Sequence, residues 1–590
     1  MTLTGKHTRS EVIEGIRVDW HVPIEMDDGN VLDADVYRPD DNANYPVILS
    51  HGIYAKGLAF QDEIYETQWT KLVSKDPSIL EGSSNRFQSW EVVDPERWVP
   101  DGYVVVRVDS RGAGWSPGYL NPRSSREIDD FVRCIEWAGT QGWSNGKVGL
   151  CGISYYALSQ WLVASRSPRY LVGIIPWEGY VDYYRGPTHH GGIRSEFQDK
   201  WWERQVARVQ HGAGEQALKN PNTGESIAGP KTLSEEELRN NRIDLPVELQ
   251  RRQLDDQWYR ERSADVTKIS VPLLSAANWG GQGIHPTGNF EGFERSAATQ
   301  KWLEVHGDTH YTHFYSSYGR ALQKRFFDHF LKGIDNGWDK EPPVQLNIRR
   351  PGEDFELRME HEWPLARTEW TRFHLDPENL SLERDDPQQP ASIPYETMGD
   401  GVTFSLPVLD DELEVTGPMA AKLFISSKTA DADLFLVLRL FDPSGSEVTF
   451  EGANDPNTPI AMGWLRASHR EIDEKRSEPY RPYHLHQRRY PLTPGEIYEL
   501  DVEIWPSCIV VPPGYRLALT VRGIDYEYRG ELDEYGRSFY YATRGTGGMT
   551  HTDPEDRPPE IFDTTVVIHT SPEQSSYLLL PIIPPQGPAT

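Results

Sequence analysis

Residues 147–157, KVGLCGISYYA, constrain this chain more than any other stretch. An apolar run, 148–151, meets Gly152-Ile153-Ser154 and then a helical pattern through Leu158, Trp161 and Leu162. A strand that enters a helix through a sharp Gly-x-Ser turn lifts the serine hydroxyl above a sheet edge. The helix N-terminus beside it favours developing negative charge. Gly152 removes a Cβ that would clash inside the turn. Such an elbow belongs to folds in which strands alternate with helices.

The flanking sequence supplies that alternation. Residues 46–50 form a buried apolar strand that ends in His51-Gly52-Ile53-Tyr54, and 103–108 form another, closed by Asp109-Ser110-Arg111-Gly112. Residues 129–139 carry helical spacing, and 171–175 are a strand ending at Pro176-Trp177-Glu178-Gly179. Residues 271–277 and 301–305 add two more strands, and 321–331 a closing helix. Continuous β-branched runs between helices predict a parallel sheet covered on both faces. Residues 11–38 read as a hairpin around Asp27-Asp28-Gly29, and 55–90 as a polar surface excursion.

Between 183 and 265 the sequence turns charged and helix-prone, which predicts a helical cap inserted into the sheet domain. After Asn336 short alternating strands recur at turn-marked intervals, at 344–349, 421–426, 433–441, 497–504 and 516–522. That is the pattern of a β-sandwich or jelly roll. The expected organisation is an α/β core over 1–182 and 266–340, a cap over 183–265 and a β-sandwich over 341–590.

With 590 residues, several domains are required. The net charge of −30 is spread along the chain, which argues against nucleic acid or an anionic membrane as partner. Cys134, Cys151 and Cys508 are too few and too far apart for a disulfide framework or a cysteine zinc site. Residues 1–11 are polar, and no apolar run approaches a membrane span, so a cytoplasmic protein is expected. A homodimer is left open.

A serine alone is a poor nucleophile and needs a base with a group orienting it. In such a sheet the strand C-terminal ends converge on one crevice. His310 lies five residues past the last parallel strand, in a loop before a helix, and is the favoured base. The elbow at Ser154, the Tyr54 loop, the Arg111-Gly112 turn, His310 and the β-rich C-terminal third together resemble the cocaine-esterase/X-prolyl dipeptidyl-peptidase family of α/β-hydrolases. The resemblance covers about residues 15–585. It implies an α/β-hydrolase core, a helical cap and a jelly roll. It also implies Ser154 as nucleophile, His310 as proton shuttle, and the Tyr54 hydroxyl with the Tyr155 backbone N–H as oxyanion hole.

Two positions depart from that family. Ala157 stands where its elbow usually has glycine. More seriously, the turn that normally carries the catalytic aspartate is Asn278-Trp279-Gly280-Gly281-Gln282, without a carboxylate. Glu178, just past the strand that follows the elbow, is the candidate replacement, with Gly280-Gly281 leaving room for it. Asp182, Glu291 and Asp308 are lesser candidates. Trp177, Trp279 and His51 are candidate pocket walls. The adjacent His189 and His190 have no carboxylate at ligand spacing, and neither a metal nor a cofactor is expected. These residues predict a serine hydrolase of carboxylic esters. Alternatives are an X-prolyl dipeptidyl-peptidase or α-amino-acid ester or amide hydrolase and, in another class, a non-catalytic binding protein derived from a hydrolase.

Overall fold

The computed structural model describes residues 8–531 and 544–585. The first sheet uses β1 (Arg9–Ile13), β2 (Ile16–Glu25), β3 (Val31–Pro39), β4 (Tyr45–Gly52), β5 (Val104–Asp109), β6 (Ser144–Ile153), β7 (Leu171–Trp177), β8 (Leu273–Asn278), β9 (Lys301–His306), β10 (Val344–Arg350) and β11 (Asp354–Glu360). Among the described residues these eleven strands lie in the order β1-β2-β3-β5-β4-β6-β7-β8-β9-β10-β11. From β5 through β10 neighbours run parallel, and antiparallel pairs close both edges. The parallel strands are buried along nearly their whole length, because α1 (Ser125–Thr140), α2 (Tyr155–Ala164), α3 (Pro286–Arg295) and α4 (Ser317–Phe327) pack on the faces. Their C-terminal ends therefore open onto a common rim, and every candidate catalytic residue follows one of them.

A second, almost wholly antiparallel sheet of twelve strands follows between Glu369 and Ile583 and closes over its own apolar core. One expected boundary moves. Residues 344–349, read as the first sandwich strand, pair parallel with β9 and belong to the hydrolase sheet. An alternating pattern does not say which sheet a strand joins, and here the parallel partner decides.

Two other segments differ from expectation. The region 183–265 is only locally helical: its α-helices are four to seven residues long, separated by single turns and irregular chain. Its Gly, Pro and Asn-rich stretches break each helix before a stripe can build. The 55–90 excursion is not a surface loop. Phe60, Tyr65 and Trp90 are buried, and Trp90 stacks on Tyr65 with centroids 4.2 Å apart. Polar residues in this stretch hid an aromatic core.

Candidate active site

Ser154 sits between β6 and α2 with φ 54° and ψ −109°, a conformation that costs a non-glycine residue energy and clusters at functional sites. Its neighbours hold it there. The Ser154 N–H donates to the carbonyls of Trp177 (3.1 Å) and Glu178 (3.2 Å), tying the elbow to the end of β7. The Ile153 N–H donates to Glu91 O at 2.9 Å. A Cβ on Gly152 would lie 2.5 Å from Tyr156 Cβ, so only glycine fits under the turn. Ser154 itself stays partly exposed while the residues around it are buried.

Glu178 takes up a similar strained conformation, φ 49°, and is fully buried. Its Oε2 accepts from His310 Nδ1 at 2.8 Å, and its Oε1 from His306 Nε2 at 3.1 Å and Asn278 Nδ2 at 3.2 Å. Asn278 ends β8, in the turn without a carboxylate, and there it holds the glutamate instead. The room expected at Gly280 is filled by the second domain, because a Cβ there would meet Gly452 Cα at 2.5 Å.

The other acid candidates are engaged elsewhere. Asp182 pairs with Arg185 at 2.8 Å, Glu291 with Arg481 at 2.8 Å, and Asp308 with Lys75 at 2.7 Å.

The hydrogen bond expected between Ser154 and His310 is not the one formed. Ser154 Oγ lies 3.3 Å from His285 Nε2, whereas His310 Nε2 faces Glu91 Oε1 at 3.2 Å. The two imidazoles stack in parallel, with centroids 5.0 Å and planes 6° apart. His285 follows β8 at the start of α3, and Glu91 comes from the misread excursion. Sequence reasoning missed both. His285 carried a signal, since it is a histidine shortly past a strand end, but Glu91 carried none.

Charge in this cluster is strongly shaped. Burial alone would raise Glu178, but the His310 charge and the hydrogen bonds from His306 and His310 hold it at about 2. Burial disfavours the charged His310 ring, yet Glu178, with Glu91 on the other side, lifts it to about 10. His306, also against burial, is held at about 9 by Glu304 and Glu178. His285 goes the other way, to about 3, through burial and then the His310 charge. Burial also raises the Glu91 carboxyl.

The Tyr54 hydroxyl accepts from Trp201 Nε1 at 2.9 Å, and among the described residues its own proton has no acceptor. Burial raises its ionisation well above the ordinary value, so it remains a neutral donor. The Tyr155 N–H opens α2 and has no partner within the helix. The pocket walls are placed differently from expectation. Trp177 packs beneath the site against His306 and Phe314, Trp279 lies in a separate core with Phe290 and Trp363, and His51 stacks on Phe131 at 4.7 Å. At the end of a buried parallel strand or in the turn after it, a large ring meets the covering helices more readily than the rim.

Two clusters are spaced closely enough for a cation. Donor atoms of Glu178, His285 and His310 lie within 4.8 Å of one another, as do those of His21, Asp33 and Asp35. In the first, the Glu178–His310 hydrogen bond uses the electron pairs a metal would take. In the second, the Lys56 ammonium lies 2.6 Å from Asp35 and 3.0 Å from Asp33. Neither site as arranged fits a resident metal.

Comparison with known proteins adds the class. The sequence signature of the X-Pro dipeptidyl-peptidases of the S15 family matches residues 28–312, and that of their C-terminal non-catalytic domain matches 336–579. With its serine elbow on a parallel sheet, the chain is a serine hydrolase of the α/β-hydrolase fold. A CocE/NonD family hydrolase from Staphylococcus aureus superposes with a TM-score of 0.82 at 30% identity, covering 98% of this chain and 96% of that one. The chain belongs to that family of hydrolases. The cocaine esterase of Rhodococcus sp. is 24% identical over 95% of this chain and 98% of its own length. A putative Xaa-Pro dipeptidyl-peptidase of Bacillus anthracis is 22% identical over 88% and 84%.

Proposed function

We propose that the protein hydrolyses carboxylic esters through an acyl-enzyme on Ser154. The observation that carries this reading is Ser154 itself, partly exposed in a strained strand-to-helix turn, with its Oγ 3.3 Å from the His285 imidazole and the Tyr155 N–H opening the helix behind it. In this reading the Tyr54 hydroxyl and the Tyr155 N–H, neither spent elsewhere among the described residues, take the oxyanion of the tetrahedral intermediate, where one fixed donor is worth about 2.7–4 kcal/mol of barrier. The serine proton passes to an imidazole of the cluster around Glu178. Similarity to the Rhodococcus esterase supports ester substrates.

The second reading is cleavage beside a free α-amine, as in the name of the Bacillus anthracis relative. A substrate ammonium needs carboxylates, and Glu91, buried 3.2 Å from His310 Nε2 beside the site, favours it. Paired free-amine and N-acylated esters separate the two by kcat/KM. Fluorophosphonate labelling tests the whole proposal: Ser154 should be modified, Ser154→Ala should not react, and an unlabelled wild type would refute it. Among the described residues no helix is long and apolar enough to cross a membrane. Three buried, unpaired cysteines support a cytoplasmic location.

A further inference from the structure

We propose that His285 is a catalytic residue, the general base of the reaction, and that His310 is a fixed cation beside it. This assignment rests on Ser154 being the nucleophile. His285 is the imidazole in contact with the serine oxygen, Nε2 to Oγ 3.3 Å. His310 cannot take that proton as placed. Its Nδ1 faces Glu178 at 2.8 Å and its Nε2 faces Glu91 at 3.2 Å. Both ring nitrogens are thus engaged by carboxylates, and neither is hydrogen-bonded to Ser154.

His285 is complementary. Its Nδ1 is buried without a hydrogen-bond partner and 3.9 Å from Glu178 Oε2. With hydrogen on Nδ1, the neutral ring turns the Nε2 lone pair to Ser154. Once it takes the proton, the new cation lies within ion-pair distance of Glu178. The buried carboxylates Glu178, Glu91 and Glu304 surround the imidazoles His310 and His306. The Tyr180 ring lies nearly parallel to His285, with centroids 6.4 Å apart.

The step balances as follows. The Ser154 O–H bond breaks and its proton moves to His285 Nε2. The freed electron pair forms the bond from Oγ to the acyl carbon, and the carbonyl π pair moves onto oxygen, facing Tyr54 and the Tyr155 N–H. When that pair re-forms the carbonyl, the bond to the leaving alkoxide breaks and His285 returns the proton to it. Water then repeats the sequence and releases the acid.

The test is kinetics on p-nitrophenyl acetate with His285→Gln, His310→Gln, and the alanine variants of both in added imidazole. His285→Gln should lower kcat/KM by about 10³–10⁴-fold. Imidazole should restore His285→Ala at least about tenfold. The acid limb of wild-type kcat/KM should lie below the ordinary imidazole value of about 6.5. His285 faces Glu178, the His310 cation and Tyr180; a base held like His310 would instead gain activity up to about pH 10. His285→Gln within tenfold of wild type overturns the assignment. So does rescue of His310→Ala alone, or loss in both variants with rescue in neither. Full activity in Ser154→Ala would instead refute the serine reading.

Discussion

Ser154 and Glu178 occupy adjacent strand ends in strained conformations and are joined by a backbone hydrogen bond, so nucleophile and carboxylate are held as one unit. Ser154→Ala should lower kcat by about 10⁶-fold without loss of fold. Tyr54→Phe should cost about 10²–10³-fold in kcat and leave KM nearly unchanged if, as proposed, the phenol proton meets only the developing oxyanion. Glu178→Gln should lower kcat about 10⁴-fold. Burial adds a stability cost that sequence reading does not foresee: the variant leaves His306 and His310 short of a counter-charge, which is worth about 3–5 kcal/mol. Equilibrium denaturation beside kinetics checks both effects.

The pH dependence follows from the same groups. Glu178 is depressed to about 2, so its contribution to stability is present above its unfolded value of about 4.3 and fades as pH falls below that. His310 is raised to about 10, so its contribution is complete below about 6.5 and fades as pH climbs toward 10. The melting temperature should therefore be highest between about 4.5 and 6.5 as far as this pair decides it. EDTA should leave activity unchanged, since hydrogen bonds already occupy the Glu–His–His cluster; loss of activity restored by a divalent ion would contradict that.

At the scale of elements, the elbow was legible because it is local: strand, turn and helix lie within one run of sequence. Glu178 and His310 were legible as residues following strands in a sheet whose ends converge. Glu91 was not, because its segment looks polar and acquires its position only by packing Phe60, Tyr65 and Trp90 against Tyr311 and Tyr315. His285 also follows a strand end, but sequence spacing does not show which residue of that turn faces the serine. The elbow is wedged between these elements. Gly152→Ala would press a methyl against Tyr156 Cβ at 2.5 Å and Glu91 O at 3.0 Å. It should cost about 1–3 kcal/mol in urea denaturation and lower activity as well.

Across the whole molecule, one loop of the β-rich domain reaches the segment that carries His310. Ala453 O accepts from the His310 N–H at 3.2 Å, and the Ala453 N–H donates to Gly280 O at 3.0 Å. Lys71 pairs with Glu451 at 2.6 Å, and Lys75 bridges Asp308 and Glu451. The second domain thus fixes the loop that carries His310, which assigns it a supporting part in the active site. Gly280→Ala, whose Cβ would approach Gly452 Cα to 2.5 Å, should loosen this contact and reduce kcat more than KM. Which residues of the β-rich domain make this contact was beyond sequence reading, since it joins residues far apart in the chain and uses backbone groups that any sequence possesses.

The most direct measurement is rapid-quench mass spectrometry of the wild-type enzyme with p-nitrophenyl acetate. One acetyl group appearing on the peptide containing Ser154, at the rate of the p-nitrophenol burst, is the expected result. Turnover with that peptide unmodified, or an acetyl group carried by another residue at the burst rate, would contradict an acyl-enzyme at the elbow.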